Sequence, residues 1–158
     1  QALPGSPWLD LFWPLFGLGV VVGALLTTRV SLAGDLRWPL VLCHLTQAAG
    51  VLAGMVSPTT AGFVLGSVLL GLPFTALTYF AMQEIRRLRP AQAASTMGLA
   101  TALYGIGQVA GPPLAAWLVV RAGSAARGFD WSLSIAAATL LLGAALYLLS
   151  VRLHPHRP

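Results

Sequence analysis

The chain has 158 residues, of which 57% are hydrophobic and only 8% charged, and its net charge is +5. Soluble domains carry about 25% charged residues, so this composition and a mean hydropathy of +0.81 exclude an ordinary water-soluble fold. All nine cations are arginines that fall between apolar stretches rather than on one basic face, which favours membrane topology over a nucleic-acid partner.

Gln1 to Ser6 is a short polar entry, and Trp8 to Thr28 is the first apolar segment. A spanning helix needs roughly 20 apolar residues, and this stretch meets that length. Asp10 lies near its start, and Trp8 and Trp13 suit an interfacial aromatic belt. Gln1 follows no initiator Met and no charged leader region, so the true start is expected upstream. A linker from Val30 to Arg37 holds Gly34 and Asp35. The second segment, Trp38 to Val56, contains His44 and Gln47 together with Cys43, the lone cysteine. One cysteine excludes an internal disulfide and a cysteine metal cluster.

Ser57-Pro58-Thr59-Thr60 is an uncharged turn, and Ala61 to Met82 is the third segment, with Gly71 and Pro73 near its middle. Thr75 and Tyr79, four apart, share a face beside Thr78. That face lines a polar cavity, or its hydroxyls bond back to their own helix. Gln83 to Pro90 is a charged loop in which Glu84, Arg86 and Arg87 read as a solvated cluster or gate. The fourth segment, Ala91 to Val120, carries Tyr104-Gly105-Ile106-Gly107-Gln108-Val109-Ala110-Gly111-Pro112-Pro113. Gly and Pro cost about 1 and 3 kcal/mol against Ala in a helix in water. In a bilayer, small residues permit close helix approach, and neighbours re-satisfy the backbone groups that proline frees. A kink is predicted at Gly111-Pro112-Pro113. Thr101, Tyr104, Gln108 and Gly111 form one stripe, in which Gln108 binds a polar ligand or makes an interhelical hydrogen bond. Arg121 to Asp130 reads as a Gly/Ser/Arg loop, Trp131 to Val151 as the fifth segment, and Arg152 to Pro158 as a basic tail.

The fold class is therefore all-α and polytopic: a single transmembrane domain over 1–158, with helices at about 8–28, 38–56, 61–82, 91–120 and 131–151. One side holds Arg29, Arg37, Arg86, Arg87, Arg89, Arg152 and Arg157, and the other only Arg121 and Arg127. The positive-inside rule places the richer side in the cytoplasm, with Gln1 outside and Pro158 inside. Gly17-Leu18-Gly19-Val20-Val21-Val22-Gly23 is echoed by Gly105 to Gly111, in segments of opposite direction, as inverted repeats are. Gly19/Gly23, Gly50/Gly54, Gly62/Gly66 and Gly107/Gly111 each put two glycines on one helix face, as helix-packing sites do.

Gly105-x-Gly107-Gln108-x-x-Gly111-Pro112 in a penultimate helix carries a resemblance. The chain resembles helices eight to twelve of the C-terminal half of a major facilitator superfamily transporter, from an uncharacterised bacterial branch. Where that family has a Gly followed by Asp-Arg-x-Gly-Arg in a cytoplasmic loop, this chain has Gly23, Arg29, Gly34 and Arg37, with Thr27-Thr28 in place of the acid. The resemblance implies part of a secondary active transporter in the bacterial inner membrane, moving a small polar solute by alternating access with proton coupling. It implies missing N-terminal helices of the same protein as partners, besides the lipid bilayer and a small-molecule substrate. Gln108, Tyr104, Thr75 and Tyr79 are then expected to bind substrate, and His44 and Asp10 are candidates for proton coupling. His44 reads first as a packed, hydrogen-bonded histidine, and Asp10 as a solvated interfacial acid. The alternative function is a membrane scaffold or assembly subunit built on helix packing. His154 and His156 are too weak a pattern for a metal, Gly105-x-Gly107 lacks the nucleotide fingerprint, and no acid/base constellation emerges. Neither a cofactor nor a catalytic activity is expected.

Overall fold

A computed structural model describes residues 10–155, and these form helices with no strand among them. The helices are α1 (Phe12–Thr27), α2 (Arg37–Val56), α3 (Thr60–Gly71), α4 (Phe74–Leu88), α5 (Ala93–Ala122) and α6 (Ala125–Leu153), with a 3-10 turn at Pro90–Gln92 before α5. Trp8, His156 and Arg157 lie outside the described residues. Four stretches are long and apolar enough to cross a membrane: Arg37–Val56, Thr60–Leu88, Pro90–Ala122 and Ala125–Leu153. Helix α1 is a shorter apolar helix.

The third apolar segment is one span built from two helices. Pro73 has no N–H to give the Leu69 carbonyl, and its ring crowds that carbonyl. The chain therefore turns at Leu72 and Pro73 before helical bonding resumes with Leu77 N–H to Pro73 O at 2.8 Å. The two prolines of α5 act otherwise, because Pro112 and Pro113 lie inside a helix that continues for 30 residues. The loop expected over 121–130 shrinks to two residues. Gly123 takes a left-handed φ of 69°, and the Ser124 hydroxyl accepts the Arg127 N–H, so α6 is capped and begins at Ala125. The ready helix formers Ala125-Ala126-Arg127 then extend α6 well ahead of Trp131.

The helices approach through glycine. A Cβ on Gly19 would stand 2.5 Å from the Val68 carbonyl oxygen and 3.1 Å from the Gly71 Cα, and one on Gly23 would overlap the Leu72 carbonyl. Gly71 in turn lies against the Phe16 carbonyl, so α1 and α3 meet backbone to backbone. Gly50 and Gly66 make a similar contact between α2 and α3. Helix α6 packs along α2, and α5 packs chiefly on α6. Leu36, Leu40, Cys43, Ala76 and Phe80 form the buried core where α2 meets α4, and Tyr147 of α6 packs against it.

Ionic contacts bind one end of this core. Asp35 accepts from the Arg37 Nε and Nη2, each at 2.8 Å, and from its backbone N–H at 3.0 Å. The Arg37 Nη1 reaches the Ser150 carbonyl on α6 at 2.8 Å. Arg87 on α4 donates to the Gly34 carbonyl at 2.7 Å and to the Glu84 Oε1 at 3.0 Å. Glu84 is 7% exposed, so it is not the solvated surface acid that its loop position predicts. It belongs to α4, which extends past the expected end at Met82, while Arg86 and Arg89 of that charged run are exposed.

Two expectations follow. Gly23→Val drives a side chain into the Leu72 carbonyl and should cost about 1–3 kcal/mol or more, whereas Gly54→Ala, with open space around it, should melt like the parent. Thermal unfolding of the purified protein in detergent reads both, and equal melting of the two variants would refute the backbone crossing. The second concerns Asp35, whose carboxyl is held below its ordinary value of 3.8, first by the hydrogen bond from Arg37 and then, against the cost of burial, by the Arg37 and Arg87 charges. Its ionised form therefore favours the fold above that value, and the benefit is lost as pH falls below it. Asp35→Asn should lower the melting temperature at neutral pH, and the gap to the parent should close in acid.

Candidate functional site

The candidate site residues within the spans fall into three places. The first is α5, where the Gln108 Nε2 donates to the Tyr104 hydroxyl at 3.0 Å, one turn away. Both side chains are exposed on a helix whose span buries only Leu118. Thr101, on the same stripe, returns its hydroxyl to the Met97 carbonyl at 2.9 Å. A methyl group added at Gly107 or Gly111 would meet nothing within 4 Å, although Gly111 borders a small apolar gap beside α6. The α5 glycines thus lie open, whereas Gly19 and Gly23 lie inside the α1–α3 crossing. After its bond to Tyr104, the Gln108 amide keeps one N–H and its carbonyl oxygen for a partner.

The second place is a cleft of about 250 Å³ lined by Ala24, Thr27 and Thr28 of the first helix and its end, and by Thr75 and Tyr79 of α4. Pro73 starts α4 so that Thr75 and Tyr79 face this cleft while Ala76 and Phe80 enter the core. Thr27 and Thr28 send their hydroxyls to the Gly23 and Leu25 carbonyls at 2.8 and 2.7 Å. Thr46, Thr101 and Thr139 behave alike, but among the described residues Thr75 and Thr78 make no such bond. The cleft therefore offers the free hydroxyls of Thr75 and Tyr79 and the acceptor lone pairs of two threonines. No hydrogen bond joins it to Tyr104 or Gln108 among the described residues.

The third place holds His44. Its Nδ1 lies 2.8 Å from the Leu40 carbonyl, which can only accept, so this nitrogen carries the proton. The ring lies tilted against Tyr147 at 5.5 Å and covers Gly143, where a Cβ would stand 2.6 Å from its Cδ2. His44 is thus packed between α2 and α6 and joins neither polar patch. Asp10 is exposed just before α1. Among the described residues no group of three His, Cys, Asp or Glu side chains could hold a metal.

Sequence reasoning passed over one constellation. Asp35 was only a linker acid, yet it receives two guanidinium bonds and lies 3.9 Å from a third arginine nitrogen, that of Arg87. The available signal was the pair of spacings, Asp35-x-Arg37 and Glu84-x-x-Arg87, at the ends of two segments. Thr27 and Thr28 supply no acid where the facilitator loop motif has one, and Asp35 is the acid that Arg37 of this loop region binds.

Comparison with known proteins adds the family. Neither the curated proteins nor the solved structures contain a match to this chain. The model of one family, described as uncharacterised MFS-type transporter YbfB, matches residues 2–148. Nearly the whole sequence, with its apolar helices and glycine-rich α5, lies within that match, and the chain belongs to this family of MFS-type transporters.

Proposed function

We propose that the chain is part of a secondary transporter that carries a small polar solute across the bacterial inner membrane by alternating access. The observation that carries this reading is the Tyr104–Gln108 pair, exposed on the glycine-rich face of an apolar helix. Polar groups at membrane depth face a protein interior or a watered cavity rather than lipid. Gln108 and Tyr104 then contact the solute from α5, and Thr75 and Tyr79 contact it from α4. All four are uncharged donors and acceptors, which suits a neutral polar or carboxylate-bearing solute. The remaining helices of the transporter precede this chain and supply the opposite wall. Proton coupling is assigned to His44 or Asp10. For His44 the support is an imidazole seated between two spans; for Asp10 it is exposure just before α1.

Cells producing the full-length transporter should accumulate or lose its solute, read by untargeted profiling of small polar metabolites against cells lacking it. Gln108→Ala removes one hydrogen bond to the solute and should weaken transport roughly two- to tenfold with expression intact. An unchanged profile at equal expression would move Gln108 to a packing role and favour the scaffold reading. Orientation has its own test. A cysteine at Leu88, exposed at the end of α4, should react with an impermeant maleimide only after the membrane is opened, whereas one at Thr59 should react in intact cells. The reverse pattern would invert the topology.

A further inference from the structure

A second, larger hollow lies outside the polar cleft. It is a groove of about 560 Å³ between α1, α2 and α4, open along its side. Leu26, Val30, Leu42, Leu72 and Phe80 make its walls, with Thr46 at depth and Trp38 at the mouth. Its hydroxyls are already used, because Thr27 and Thr46 bond the Gly23 and Leu42 carbonyls, each at 2.8 Å. From Trp38 to Thr46 the groove follows two turns of α2, about 12 Å at 1.5 Å per residue. The volume is in the range of ligand pockets, about 300–1,000 Å³, but the lining offers a ligand only hydrocarbon contact.

The mouth differs. Arg29 sits in the turn that closes α1, its N–H on the Leu26 carbonyl at 3.0 Å, between the groove residues Thr27 and Val30. Its side chain is exposed, and among the described residues it has no hydrogen-bond or ion-pair partner. The nearby arginines differ in this respect, since Arg37 is held by Asp35 and Ser150, and Arg87 by Glu84 and Gly34. Trp38 is 54% exposed at the first turn of α2, and indole rings settle at headgroup depth. An apolar slot with one uncommitted arginine in the turn beside its lining residues Thr27 and Val30 is complementary to a molecule with a hydrocarbon tail and an anionic head.

We propose that this groove binds one anionic phospholipid, with an acyl chain against Leu42, Leu72 and Phe80 and the phosphate on Arg29. A zwitterionic lipid fits the same slot, but its ammonium offsets the charge that Arg29 recognises. One arginine near a membrane surface corresponds to a preference of about fivefold.

The test uses the full-length protein in phosphatidylcholine vesicles, with a photoactivatable acyl chain carried by trace phosphatidylglycerol or by trace phosphatidylcholine. Crosslinked peptides are mapped by mass spectrometry, and the exposed Val109 and Trp117 on α5 report general lipid contact. The phosphatidylglycerol probe should mark the Trp38–Thr46 peptide about fivefold more than the phosphatidylcholine probe. Arg29→Gln should bring the two to parity, Arg29→Lys should keep the preference, and added salt should weaken it. Equal marking by both probes in the parent would overturn the proposal, as would a preference that survives Arg29→Gln. Marking of the α5 peptides with none in the groove would overturn it too, and would show that a further protein segment covers the slot.

Discussion

The structure depends on the backbone contact between α1 and α3. Gly19, Gly23 and Gly71 place no side chain at three points of the crossing, so the carbonyls of Phe16, Val68 and Leu72 lie against bare Cα atoms there. Lipid tails are as apolar as leucine, so the hydrophobic effect does not pull these helices together, and close packing must. The polar cleft and the apolar groove both lie beside this contact. Pro73 separates α3 from α4 in the third span, and α1 ends at Thr27. The polar cleft is lined by Ala24, Thr27, Thr75 and Tyr79, and the apolar groove by Leu26, Val30 and Phe80.

The ionic contacts at the end of the core complement the glycine crossing. Asp35 and Arg37 begin α2, Glu84 and Arg87 end α4, and the Ser150 carbonyl belongs to the last turns of α6. Taking such charges out of water is costly, and the pairings offset that cost rather than yield a large surplus. Their main effect is geometric, because the bidentate Arg37–Asp35 pair fixes where α2 starts and Arg37 then locates the end of α6. The side of the protein richest in arginine is thereby divided. Arg37 and Arg87 are structural, while Arg29 and Arg86 remain exposed.

Much of this arrangement was readable in the sequence, since span count and helical class follow from hydropathy alone. The errors came where local signals compete. Gly123, Ser124 and Arg127 look like loop by composition, but a left-handed glycine followed by a serine cap is a tight turn, and it hands the remainder to α6. Glu84 looked solvated because it adjoins three arginines, and only the meeting of α2, α4 and α6 buries it. Pro73 and Pro112-Pro113 carry equal penalties in any propensity scale, yet one interrupts its span and the others do not. No single-chain propensity separates them. The glycines were the clearest sign of close approach, but which of them had neighbours was not visible from their spacing.

Filled and open glycine faces divide the work between α1 and α5. Their seven-residue stretches match at all three glycines and at Val21 and Val109, and they differ where Val20 stands opposite Gln108. The α1 copy has its glycine face filled by α3, and the Val20 backbone lies 3.0 Å from where a Cβ on Gly71 would be. The α5 copy has its glycines open and its one polar substitution beside them, already aligned by Tyr104. A glutamine at Val20 would stand half-buried beside a filled crossing, where its amide would have less capacity to meet a partner. On the open face of α5 it keeps that capacity for whatever lies opposite. The same glycine spacing therefore serves as a joint in one helix and as an open, polar-edged surface in the other, and the difference rests on α3 filling the one and Gln108 edging the other.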